Sequence, residues 1–107
     1  SRTPNRLLQR YTGAPFAPSL TLPKANARSQ APTLALTWQP ITGATGYRVE
    51  LATDATFTTL WTSANTTATS LNVSGLGVYT VYRWRVRASN GYGDGNWSEV
   101  RTFTTRK

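Results

Sequence analysis

Cysteine, histidine and methionine are all absent from this chain of 107 residues. Without Cys there is no disulfide framework and no thiolate nucleophile; without His, the commonest general base and zinc ligand are missing too. Acids are scarce: Glu50, Asp54, Asp94 and Glu99 stand against twelve Lys and Arg, for a net charge of +8. Glycoside chemistry needs two carboxylates close together, and Glu99 and Asp94 instead flank a loop. Asp94 among its glycines hints at a calcium loop, but two isolated carboxylates fall short of the six or more oxygens calcium takes. A non-catalytic chain with no metal and no cofactor is expected. No apolar run approaches the ~18 residues of a membrane span. Neither a secretory leader nor an initiator Met is present, so the chain reads as processed from a precursor or cut from a larger protein.

Threonine, by contrast, is abundant at 19 residues, with eight Ser and six Asn. Its branched β-carbon suits a pleated surface. A chain rich in Thr, Asn and Gly and free of Cys suits an exported bacterial protein, so a secreted or cell-surface location is expected. The positive charge favours anionic partners such as polysaccharide or another polyanion; charge alone does not single out nucleic acid.

Two regions differ in kind. Residues 1–15 form a basic arm or linker with Arg2, Arg6 and Arg10 spaced by four and Leu7, Leu8 and Tyr11 on the far side of a helical wheel. Thr3-Pro4 and Gly13 are helix start and stop signals, yet a helix of about nine residues is marginal alone. The alternative is an extended arm adding a strand to a neighbouring sheet. In either form the arm should dock on a surface, with Leu7, Leu8, Tyr11 and Phe16 as anchors, on another copy or an adjoining domain. Edge strands are open to such addition, and head-to-tail exchange between copies generates a filament.

Residues 16–107 read as all-β. Period-two alternation runs through Leu34–Trp38, Tyr47–Leu51, Leu71–Val73 and Tyr82–Ala88, with further strands near 19–23, 57–63 and 100–105. About seven short strands separated by Gly, Asn and Asp turns argue for a sandwich or a barrel. Trp38, Tyr47, Val49, Leu51, Leu71, Val73, Tyr82, Trp84 and Val86 would fill the core.

The order of these pieces resembles a fibronectin type III domain of the bacterial surface-protein kind. Pro32–Trp38 resembles the second strand with its core tryptophan, and Gly43–Glu50 the third. Leu76 followed by Tyr82 resembles the tyrosine corner, Tyr82–Asn90 the sixth strand and Trp97–Thr104 the approach to the last. The resemblance spans about residues 18–105. It departs at Val78, where proline is common, and leaves the arm unexplained. It implies a two-sheet, antiparallel, Ig-like sandwich of about seven strands with a structural or adhesive role.

Three groups of residues are candidates for function. Arg83, Arg85 and Arg87 share the outer face of one strand, with Arg48 next door and Trp97 just beyond the loop. They form either an anion-binding strip or a set of guanidinium stems covered by Trp97, with Glu50 and Glu99 available as ion-pair partners. Tyr11, Phe16, Trp61, Tyr79 and Tyr92 are aromatics beyond the core, the raw material of a sugar platform in an accessory module of a polysaccharide-degrading enzyme. Asn65, Asn72 and Asn96 begin glycosylation sequons, a number near what chance allows. Asp54, in a tight connection, is expected to bond the backbone two residues on.

Overall fold

The computed structural model describes residues 13–107. Nine strands follow one another: β1 (Leu20–Leu22), β2 (Ala27–Gln30), β3 (Leu34–Trp38), β4 (Gly46–Ala52), β5 (Leu60–Thr66), β6 (Ser70–Val73), β7 (Val81–Asn90), β8 (Gly93–Asp94) and β9 (Arg101–Thr105). They build two sheets, a smaller one of order β1-β3-β6 and a larger one of order β2-β9-β7-β4-β5, with β8 hairpinned onto β7. The count exceeds the expected seven by β2 and β8. Ala-Arg-Ser-Gln in β2 has no alternation to read, and β8 is two residues held by the Gly91-Tyr92 turn. All pairings are antiparallel except β2 with β9, which is parallel and irregular. Phe57 is not in a strand: β5 begins at Leu60, and Phe57 sits in the preceding turn with a left-handed φ of 56°.

The inward residues of each strand meet between the sheets. Leu36 and Trp38 from the smaller sheet face Tyr47, Val49, Leu51, Tyr82, Trp84, Val86 and Phe103 from the larger, and all are buried. Leu71 is only partly buried, at the margin of β6. Each large apolar side chain so removed from water contributes about 1.5–3 kcal/mol, and a chain without disulfides depends on that sum. Tyr82 stacks on Phe103 and Trp38 meets Tyr47 edge-on. Both phenols reach polar partners at the core's rim: Gly77 N donates to Tyr82 Oη at 2.8 Å, and Ile41 N to Tyr47 Oη at 2.9 Å. The first of these bonds returns Tyr82 to the chain upstream. Buried Thr105 braces the same corner, its hydroxyl donating to Gly77 O and accepting from Thr80 N.

The segment before β1 lies against the β7–β8 hairpin. Asn90 Nδ2 donates to Gly13 O, and the Pro15 carbonyl occupies the space a side chain on Gly95 would need. Only glycine permits that approach. Leu7, Leu8 and Tyr11 of the arm lie outside the described residues.

Candidate functional site

Alternation along β7 sends Tyr82, Trp84, Val86 and Ala88 into the core and leaves Arg83, Arg85 and Arg87 on the outer face. The register with β4 sets Glu50 opposite Arg85 and Arg48 opposite Arg87. Glu50 is buried although it points outward, because the side chains around it close over it. Its Oε1 accepts two bonds from Arg85, from Nε at 3.1 Å and Nη2 at 2.8 Å, while its Oε2 accepts from Arg48 Nε at 3.3 Å. One carboxylate therefore serves two guanidiniums.

Aromatic rings complete the arrangement. The Arg85 guanidinium lies between Phe57, 4.2 Å from its centroid, and Trp97, 4.0 Å from its centroid. Trp97 also carries Arg87 at 4.6 Å, and Arg87 pairs with Asp94 at 3.3 Å. A guanidinium between two rings keeps its N–H fork in plane for a carboxylate while its faces gain cation–π attraction. Trp97 is positioned by its neighbour: buried Ser98 accepts from Val86 N and donates to Glu99 O, tying this segment to β7.

Phe57 has a positioning device of its own. The Asp54 carboxylate accepts from the hydroxyls of Thr58 and Thr56 and from the backbone N–H of Thr58 and Thr59. The backbone partners lie four and five residues on, not the expected two, so the turn is wider and winds around the carboxylate. Those bonds, the Thr58 hydroxyl foremost and then that of Thr56, hold the Asp54 pKa well below the usual carboxylate range. The wound turn keeps Phe57 in a conformation that bulky residues avoid, with its ring against Arg85.

The other candidates do not converge. Arg83 leaves the stack and donates to Thr53 O at 3.1 Å. Glu99 makes no ion pair among the described residues. Trp61 meets Tyr82 edge-on at the sandwich margin, Tyr79 lies under the Lys107 ammonium, and Tyr92 is at the hairpin tip. No ring contact joins those three. Phe16, largely exposed, lines a recess of about 180 Å³ with Ala14, Pro40, Ile41 and Thr42. Asn65, Asn72 and Asn96 are all exposed. No group of three or more His, Cys, Asp or Glu comes together among the described residues. Sequence reasoning missed Phe57 as the second ring over Arg85, since nothing in its spacing announces a left-handed turn. No helix among the described residues is long and apolar enough to cross a membrane.

No curated protein matches the sequence. Among solved structures, FN3tt is similar at 26% identity and a TM-score of 0.62, over 88% of this chain and 94% of that one. The chicken CNTN1 FN1–FN3 domains align at 21% identity and a TM-score of 0.66, over 88% of this chain and 33% of that one. The twitchin kinase region from C. elegans aligns at 20% identity and a TM-score of 0.64, over 87% of this chain and 17% of that one. Residues 17–104 match the family pattern described as Fibronectin type III domain. With most of its length so matched, the chain belongs to the fibronectin type III family, whose domains are generally non-catalytic structural or spacer modules, mediate protein–protein contacts and are commonly extracellular.

Proposed function

We propose that this domain is a structural or adhesive module of a secreted or surface-attached bacterial protein, joined through its 1–15 arm to other copies, as in a filament, or to an adjoining domain. The observation that carries the reading is the commitment of the arginine face to its own fold. Glu50 takes Arg48 and Arg85, Asp94 takes Arg87, and Phe57 and Trp97 cover the guanidinium planes of Arg85 and Arg87. An anion-binding strip needs guanidiniums with open faces and unspent N–H groups. Here the strip is a clamp on the outside of the larger sheet, and a clamp suits a module that bears load. Abundant Thr and absent Cys support the exported setting.

The test has two parts. On immobilised heparin, the Arg85→Gln/Arg87→Gln variant should elute within a small salt increment of the parent; a large fall in retention with a steep salt dependence would favour polyanion binding. Deleting residues 1–12 should leave a folded domain that no longer assembles end to end. Equal assembly by the truncated chain would dispose of the arm.

A further inference from the structure

Of the six asparagines in the sequence, Asn90 alone is followed by glycine. Asn90 ends β7, and Gly91 opens the turn into β8. The Asn90 side chain folds forward over that turn, its Oδ1 accepting from Tyr92 N at 2.8 Å. This bond closes a ring that contains both the side-chain carbonyl carbon, Cγ, and the backbone nitrogen of Gly91. Gly91 is exposed, has no Cβ to shield that nitrogen, and stands in open space. Among the described residues its N–H donates to no acceptor. Asp94-Gly95, four residues on, is the counter-example: Gly95 N is held by Ala88 O at 2.8 Å, and Gly95 is packed against Pro15.

We propose that Asn90 is a site of spontaneous covalent modification to aspartate and isoaspartate, and that the change unfastens the segment before β1 from the β7–β8 hairpin. Asparagine is among the thermally labile side chains, and here its attacker is held beside it. Gly91 N gives up its proton to solvent and bonds to Asn90 Cγ; the Cγ–Nδ2 bond breaks, and Nδ2 takes up a proton and leaves as ammonia. Water then opens the cyclic imide at either carbonyl, giving aspartate or isoaspartate with no change of oxidation state. The departing nitrogen is the one that donates to Gly13 O at 3.0 Å. A carboxylate oxygen, which only accepts, replaces that donor and faces the Gly13 carbonyl. In the isoaspartate product the main chain also gains a methylene, so the pairing of Asn90 with Gly93 and of Ser89 with Asp94 shifts. The seat of Gly13 and Pro15 on the hairpin is lost with it. This chemistry goes beyond the function proposed above, and it holds whether the arm joins another copy or an adjoining domain.

Full-length protein held in warm neutral buffer should release ammonia and gain a single mass unit per chain. Fragmentation of the tryptic peptide Ala88–Arg101 should place the change at Asn90. Amide hydrogen exchange over residues 13–19 should then rise several-fold, and Asn90→Asp should show that rise from the outset. Gly91→Ala has open space for its methyl and an ordinary φ, so it should keep the parent's melting temperature. It should nonetheless convert more slowly by an order of magnitude or more, because the methyl crowds the attacking nitrogen. Asn90 left intact after a time in which a free peptide of residues 88–94 converts fully, or equal conversion at Asn65, Asn72 or Asn96, would overturn the site. Conversion with unchanged exchange over residues 13–19 would overturn its hold on the N-terminal segment.

Discussion

The two outer faces of the sandwich solve the same problem differently. The strands of the smaller sheet, β1, β3 and β6, contain no charged residue, whereas the larger sheet holds Arg28, Arg48, Glu50, Arg83, Arg85, Arg87, Asp94 and Arg101. The smaller sheet finishes its face with hydroxyls: Thr37 Oγ1 accepts from Leu22 N and donates to Leu22 O. The larger sheet finishes its face with a buried acid, four arginines and two aromatic rings. Exposed ion pairs contribute little on their own; what changes the balance here is that Glu50 is shielded and that Arg85 is held by rings on both sides. Charge on a sheet thus becomes structural when aromatic cover excludes water from it.

Removing Glu50 should widen the contrast most. Glu50→Ala leaves two guanidiniums without their carboxylate, and the expected cost is about 2–4 kcal/mol in urea unfolding, reduced by the partial exposure of both arginines. Trp97→Ala strips cover from Arg85 and Arg87 together and should cost about 2 kcal/mol by the same measurement. On the smaller sheet, by comparison, Thr37→Val removes one hydroxyl pairing and should cost only about 0.5–1 kcal/mol. An equal loss from Thr37→Val and Trp97→Ala would abolish the distinction between the faces.

Acid should act on the larger sheet through Asp54. Its folded-state pKa is depressed, so its contribution to stability is fully present above the unfolded value near 4 and is lost as pH falls toward and below 2. The Asp54→Asn variant should melt below the parent at neutral pH and converge with it in strong acid. A constant gap in melting temperature from pH 7 to pH 2 would show that the Asp54 charge does not hold the turn.

Much of the framework was legible in the sequence. Tyr82, Trp84, Val86 and Ala88 alternate with Arg83, Arg85 and Arg87, so period two alone separates the buried face of β7 from its cationic face. Leu76 and Tyr82 mark the corner that the Tyr82 phenol closes on Gly77. What spacing does not carry is partnership between distant strands. That Glu50 stands opposite Arg85 depends on register, and that Arg83 leaves the stack for Thr53 O depends on a backbone carbonyl. Phe57 was hidden for another reason: a strand reading suits its Thr-rich surroundings, and only the turn wound on Asp54 turns its ring toward Arg85. β2 and β8 were illegible because tertiary pairing, and no local pattern, makes them strands.

The central claim is that the arginine face is a clamp within the fold. A double-mutant cycle between Arg85→Met and Trp97→Leu, read by urea unfolding at neutral pH, tests it most directly. The account predicts a coupling of about 1 kcal/mol or more between the two sites. Additivity within about 0.3 kcal/mol would contradict it, leaving Trp97 and Arg85 as independent surface groups.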